Sequence, residues 1–181
     1  MDLKLTNIFR ILRAHLTGIS ISKGVQLERN VMFHLHSPFF RKPSAGKIQL
    51  MDGVKISTGT VIHSYGGTVT LGKETFLGPY VVIYGHGNVN IGKYCLISMH
   101  TCIASSNHTI PDKDRLIKNE PDLPLPVTIH EDVWIGANCT ILGGVNIGKG
   151  VVIGAGSVVN MDIPEYAVAI GNPIRIIRYR E

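Results

Sequence analysis

A repeat of six residues runs without interruption from Ile129 to Val159 and leaves few folds open to this chain. One aliphatic residue opens each unit, at Ile129, Ile135, Ile141, Ile147, Ile153 and Val159. A period of six matches neither a helix nor the alternation of an ordinary strand, but it fits short strands joined by tight turns. Three such units close a triangular coil of about 18 residues, and coils of this kind stack into a solenoid.

The same rhythm extends toward the N-terminus in sets of three aliphatic or aromatic residues. The sets are Leu27, Phe33 and Phe39; Leu50, Ile56 and Ile62; Leu71, Leu77 and Ile83; and Ile91, Ile97 and Ile103. We therefore predict an all-β chain, a parallel β-helix of about six triangular coils that begin near residues 27, 50, 71, 91, 129 and 147. The interval before Ile129 carries about 20 extra residues, so a long loop is expected over about 104–128, where function often resides.

The two ends of the chain are expected to close the solenoid within a single domain, divided into 1–20, 25–163 and 164–181. Residues 2–19 carry apolar side chains on one broad face, which predicts an amphipathic helix. This helix would cap the open end of the stack, although contact with a membrane surface or with another copy of the chain are alternatives. Pro164 is expected to end the coils. Residues 174–179 alternate apolar and basic residues, which predicts a short closing strand or helix.

Composition excludes several classes of protein. A hydrophobic content of 44% against a charged content of 17% supports a large core and argues against disorder. The net charge of +5 is mild, and no run of Lys and Arg alternates with aromatic residues, so nucleic acid is not an expected partner. The chain has 3 cysteines, no Cys-x-x-Cys pair, no signal-peptide cleavage pattern and no long apolar run. These features predict a reducing compartment, the cytoplasm.

His108 is the side chain most suited to chemistry. It opens the long loop, follows Ser105, Ser106 and Asn107, and precedes Asp112 and Asp114. An imidazole changes charge near neutral pH and can take a proton from a hydroxyl, with a carboxylate or carbonyl on its other nitrogen fixing the tautomer. His86 stands at a two-residue insertion in a corner and is a candidate for lining an acceptor site.

Two motifs beside the repeats resemble one known family. The segment V-T-I-x-x-x-V-W-I-G at Val127–Gly136 and the ending G-N-P-x-R at Gly171–Arg175 look like those of the hexapeptide-repeat acyltransferases, nearest to the maltose, galactoside and nodulation-type O-acetyltransferases. The resemblance covers about residues 70–178. It implies left-handed coils, a homotrimer, and acetyl-CoA bound in the groove between adjacent copies.

The resemblance also implies roles for individual residues. His108 would be the general base for transfer of an acetyl group to a hydroxyl of a sugar, an oligosaccharide or a polysaccharide precursor, without a metal. The residues that would contact the cofactor are Ala137, Ala155, Asn160, Met161, Arg175 and Arg178. The residues that would contact the acceptor are His86, Asn107 and Asp112. The chain departs from the sugar-acetylating branch at Gly78, Met161 and Pro111, where that branch has Asn, Lys and Asp.

Three other functions fit parts of the sequence. One is an N-acetyltransferase that acts on an amino sugar or a sugar nucleotide. Another is a zinc enzyme similar to the gamma-class carbonic anhydrases, which would need three histidine ligands shared across a subunit interface. A third is a repeat scaffold without catalytic activity.

Overall fold

Three sheets, parallel except for the last strand of one of them, form the faces of a triangular prism in the computed structural model, which describes residues 18–36 and 46–181. Face 1 contains β1 (Ile19–Ile21), β4 (Lys47–Leu50), β7 (Thr68–Leu71), β10 (Val89–Ile91), β15 (Val127–Ile129) and β18 (Asn146–Ile147). Face 2 contains β2 (Gln26–Leu27), β5 (Lys55–Ile56), β8 (Phe76–Leu77), β11 (Leu96–Ile97), β16 (Trp134–Ile135), β19 (Val152–Ile153), β21 (Ala167–Ile170) and β22 (Arg175–Tyr179). Face 3 contains β3 (Met32–His34), β6 (Val61–His63), β9 (Val82–Tyr84), β12 (Cys102–Ala104), β17 (Thr140–Ile141) and β20 (Val158–Val159).

The core is a ladder of aliphatic side chains, one from each strand of each coil. From Leu50 to Val159 the residues that open the six-residue units are all buried, with at most 1% exposure. The small residues four places later are buried as well, including Cys95, Val133 and Ser157. The six-residue rhythm therefore predicted the interior correctly, because each aliphatic side chain lies over its counterpart in the coil below.

The first coil starts earlier than predicted. Ile21 pairs in register with Leu50, Leu27 with Ile56, and Phe33 with Ile62. The first set is therefore Ile21, Leu27 and Phe33, and the expected start at residue 27 was wrong. These three side chains are only partly buried at the open end of the stack, so the aliphatic rhythm is weakest there.

Both ends of the chain also differ from expectation where they are described. The helix predicted over residues 2–19 lies outside the described residues except for Gly18 and Ile19, and Ile19 already belongs to β1. Pro164 does not end the coils, because β21 adds a parallel strand beside β19. The short closing element predicted within 174–179, a strand or a helix, is a strand, β22, which pairs antiparallel with β21. No helix within 18–36 and 46–181 is long and apolar enough to span a membrane.

The long insertion leaves the core at Ser105 and returns at Leu125, as a structured arm rather than an irregular loop. Two short strands, β13 (Ser106–His108) and β14 (Asp122–Pro124), pair antiparallel, so that His108 lies opposite Asp122. A single 3-10 turn, Ile117–Asn119, lies in the tip of the arm.

The base of the arm is held tightly at the corner between faces 3 and 1. The backbone N–H of Leu125 donates to the carbonyl of Ser105 at 2.8 Å, and the Ser105 hydroxyl donates to the Tyr84 carbonyl at 2.8 Å. The N–H of Gly87 donates to the hydroxyl oxygen of Ser105 at 2.9 Å. A Cβ at Gly87 would lie 2.0 Å from the Ser105 carbonyl oxygen and 2.4 Å from the Leu125 nitrogen. The backbone of the preceding coil therefore touches the base of the arm, which fixes where the arm points.

Replacing Ile135, a fully buried member of the ladder, by Ala is expected to lower the free energy of unfolding by about 2–5 kcal/mol because it leaves a cavity. The matched control is Ile177→Ala in β22, where the side chain is 55% exposed and the expected loss is under about 1 kcal/mol. Urea denaturation followed by circular dichroism measures both. Equal losses in the two variants would contradict the assignment of the core.

Gly87→Ala is expected to displace the arm, since two backbone atoms occupy the space of the new methyl group. Trypsin should then cut the arm at Lys113, Arg115 or Lys118 at least about 10-fold faster, since local opening governs such cleavage. Gly156→Ala is the control. It adds backbone strain at another corner, but its new methyl group would have no neighbouring atom within 4 Å. Unchanged cleavage of Gly87→Ala would show that the arm is not anchored there.

Candidate functional site

His108 lies on the inner strand of the arm with its ring held by a carboxylate. Nδ1 of His108 is 2.7 Å from Oδ1 of Asp122, which sits directly opposite on β14. The His108 side chain is 41% exposed, so the ring is oriented but reachable. With Asp122 as a carboxylate, Nδ1–H donates to it and the lone pair remains on Nε2, the arrangement required of a general base.

Asp122 also joins the arm to the corner of the preceding coil. Its Oδ2 is 3.4 Å from Nδ1 of His86, and both side chains are about one-quarter exposed, at 27% and 26%. One carboxylate therefore bridges two imidazoles from different parts of the chain. The His108–Asp122–His86 cluster thus joins three potential proton carriers where the arm meets the preceding coil.

Sequence reasoning missed Asp122. Asp112, which is closer to His108 along the chain, was predicted to contact the acceptor, and that contact stays a prediction. Asp112 lies exposed in the tip of the arm, where its backbone carbonyl accepts the N–H of Arg115 at 3.0 Å. The length of the insertion could have pointed to Asp122. An insertion that leaves and rejoins the core at one corner must fold back on itself, which places the residues just before Leu125 beside those just after Ser105.

Asn107 holds the backbone of His108 in place. Its side-chain oxygen accepts the N–H of His108 at 2.9 Å, which helps to fix the end of β13. This contact shows how the strand is held, while the predicted contact of Asn107 with an acceptor stays a prediction.

Four of the six residues predicted to contact a cofactor fall on two edges of face 3. Ala137 and Ala155 lie one coil apart at the corner between faces 2 and 3, where the carbonyl of Ala137 accepts the N–H of Gly156 at 2.8 Å. Asn160 and Met161 follow β20 at the corner between faces 3 and 1, the corner that carries the arm. Within one copy of the chain, face 3 separates these two pairs.

Arg175 and Arg178 lie on β22 beside the end of face 2. Arg175 pairs with Ile170 and Arg178 with Val168, and both side chains are exposed. Nη1 of Arg178 donates to the carbonyl of Tyr179 at 3.3 Å. The two guanidinium groups are therefore available to an anion at the C-terminal end of the prism.

The cysteines are not suited to act as nucleophiles. Burial raises the pKa of the Cys95 thiol to about 11, and burial also raises the pKa of Cys102 and of Cys139. Since the thiolate is the reactive form, all three are poor nucleophiles near neutral pH. Within 18–36 and 46–181, no group of three His, Cys, Asp or Glu side chains is placed to bind a metal ion.

A shallow cavity of about 270 Å³ lies on face 2, away from His108. Tyr94, Leu96, Trp134 and Arg180 contribute to its lining. Face 2 is opposite the corner that carries the arm, so within one copy this cavity is not part of the His108–Asp122–His86 cluster.

Comparison with known proteins identifies the family. Residues 126–160 match the family described as bacterial transferase hexapeptide (six repeats). A putative lipopolysaccharide biosynthesis O-acetyl transferase of Escherichia coli, WbbJ, is 32% identical over 143 residues, which are 74% of this chain and 72% of that protein. The galactoside O-acetyltransferase of Escherichia coli is 38% identical over 118 residues, which are 65% of this chain and 57% of that enzyme.

The fold has solved counterparts. An N-acyltransferase from Bacillus cereus, in complex with dTDP and 3-hydroxybutyryl-CoA, matches with a TM-score of 0.76 and 21% identity over 94% of this chain and 88% of its own. The chain spans little more than half the length of several curated relatives, 58%, 57% and 57% in three cases. The six-residue repeats, the left-handed parallel β-helix and these similarities agree, and the chain belongs to the hexapeptide-repeat acyltransferase family.

Proposed function

We propose that this chain is an acetyl-CoA-dependent O-acetyltransferase that acts on a hydroxyl of a sugar, an oligosaccharide or a polysaccharide precursor. The observation that carries the proposal is the 2.7 Å contact between His108 and Asp122, which leaves Nε2 as the basic nitrogen of a reachable imidazole. The names of the relatives WbbJ and galactoside O-acetyltransferase support the reaction class. The expected compartment is the cytoplasm.

The proposed reaction needs one base and one leaving group. Nε2 of His108 takes the proton of the acceptor hydroxyl while the acceptor oxygen attacks the thioester carbonyl carbon of acetyl-CoA. The carbon–sulfur bond then breaks, and the CoA thiolate takes the proton back from the imidazolium, which Asp122 stabilises at Nδ1. The developing oxyanion would be stabilised by a backbone N–H that faces the groove.

A second copy of the chain would complete the cofactor site. Ala137 and Ala155 lie on one edge of face 3, and Asn160 and Met161 lie on the other, so a groove shared by two copies would bring both edges to one ligand. Face 2 offers a surface for such contact, because Leu96 and Trp134 are 50% and 51% exposed on adjacent strands. Exposed apolar surface of this kind favours self-association, and a homotrimer is the proposed assembly.

Acyl transfer to an amine is the second candidate. It is favoured by the fold of the Bacillus cereus N-acyltransferase, whose solved complexes contain dTDP. The two reactions differ in their need for a base, because a sugar hydroxyl must lose its proton during attack while a neutral amine attacks directly. A panel that pairs each sugar with its amino counterpart separates the two.

His108→Ala is expected to lower the rate of acetyl transfer by about 10²–10⁴-fold, because the general base is lost. Asp122→Asn is expected to cause a loss of about 10²-fold or more, because an amide can donate to Nδ1 and thereby favour the wrong tautomer. The measurement is thiol release from acetyl-CoA in the presence of the panel.

Two control variants carry the same chemical changes elsewhere. His130→Ala removes an exposed ring bonded to Asn146, and Asp114→Asn changes an exposed carboxylate on the same arm. Both should transfer acetyl groups at rates close to those of the parent protein. Parent-like transfer by His108→Ala would overturn the proposed role of His108.

A further inference from the structure

Five aromatic side chains form a continuous strip that ends at the His108–Asp122–His86 cluster. The strip consists of His34, His63, Tyr65, Tyr84 and His86. His34, His63 and Tyr84 occupy matching positions on β3, β6 and β9, since His34 pairs with His63 and His63 with Tyr84. Tyr65 and His86 follow at the adjoining corner. Because successive coils are about 4.8 Å apart, the three strand positions span about 10 Å.

Successive rings of the strip lie close to one another: the pairs His63–Tyr65 and Tyr65–Tyr84 are stacked, whereas His34–His63 and Tyr65–His86 are tilted, each at 44°. The ring centroids of His63 and Tyr65 are 3.5 Å apart with an interplanar angle of 18°, and those of Tyr65 and Tyr84 are 5.2 Å apart at 21°. The His34 and His63 centroids are 4.9 Å apart, and those of Tyr65 and His86 are 6.4 Å apart. His34 and Tyr84 are exposed and the other three rings are partly exposed, so the strip presents to solvent rings that carry imidazole nitrogens and phenol hydroxyls.

The surroundings of two rings in the strip favour their neutral forms. Burial lowers the pKa of His63, an effect that the hydrogen bond to the His36 carbonyl opposes and that neighbouring His34 reinforces. Burial, followed by the hydrogen bond with Tyr84, raises the pKa of Tyr65. The strip itself contains no Lys or Arg, and the charged group described beside it is the Asp122 carboxylate, whose Oδ2 is 3.4 Å from Nδ1 of His86.

Neutral imidazole and phenol groups both donate and accept hydrogen bonds, as sugar hydroxyls do. A diphosphate would instead call for Arg, Lys or a helix N-terminus. We infer that the strip is the subsite for sugar units next to the acetylated hydroxyl, so that the acceptor is an extended, uncharged glycan rather than a nucleoside diphosphate sugar. This inference rests on the proposed function, and it extends the site from His86 across three coils.

The test compares acceptors of different length and charge. Maltohexaose, cellohexaose, laminarihexaose and chitohexaose are each assayed beside their monosaccharide, with UDP-glucose as the charged acceptor and radiolabelled acetyl-CoA as the donor. At least one hexasaccharide should show kcat/KM about 10-fold or more above its monosaccharide, mainly through KM, and above UDP-glucose. A preference for UDP-glucose, or no gain with length, would overturn the inference.

The variants remove polar ring groups but keep the rings. His63→Phe and Tyr84→Phe should each raise KM for the preferred hexasaccharide by about 3- to 10-fold, which corresponds to one lost hydrogen bond, with a smaller effect on the monosaccharide. The controls are Tyr80→Phe and His100→Phe, in a separate stack whose centroids are 5.2 Å apart with an interplanar angle of 6°. Equal increases in KM in the strip variants and in the controls would contradict the inferred role of the strip.

The result also separates the inference from the proposed function. If acetyl-CoA consumption by the parent depends on His108 while no neutral glycan is acetylated, the inference fails and acetyl transfer stands. If consumption does not depend on His108, the proposed function itself fails.

Discussion

Stacking of one buried aliphatic side chain upon the next is the interaction on which the rest of the structure depends. Each coil contributes three such side chains, and each lies against its counterpart in the next coil. Ile91 and Ile129, which pair on adjacent strands, are one example. A shift of even one residue would turn an aliphatic side chain to solvent, because successive residues of a strand point to opposite faces. Extra residues must therefore leave the column at its corners, and the longest such departure carries His108.

The rigidity of the column gives the arm its direction. The Ser105 hydroxyl accepts a hydrogen bond from the N–H of Gly87 and donates one to the Tyr84 carbonyl. The arm therefore begins at a corner that these bonds hold in place. The antiparallel pairing of β13 and β14 then sets His108 opposite Asp122. A carboxylate that meets two imidazoles, one on the arm and one on the column, ties the chemistry of the site to the geometry of the repeat.

The period of six predicted the fold from the sequence, and its failures have physical causes. The first coil was misplaced because Ile21, Leu27 and Phe33 are only partly buried at the open end, where the aliphatic requirement relaxes. The position of His108 at the start of the insertion was predicted, but Asp122 was not, because the sequence of the insertion has no repeat from which its pairing could be predicted. The aromatic strip was also missed, since its strand residues His34, His63 and Tyr84 occupy outward positions, which carry no constraint from the core.

The most direct test of the account is a crystal structure of the protein with CoA bound. The account predicts that the pantetheine arm lies in a groove between two copies of the chain, that Ala137 and Ala155 contact it, and that the CoA sulfur is close to Nε2 of His108. CoA bound within a single copy, or with its sulfur far from every His108 ring, would contradict it.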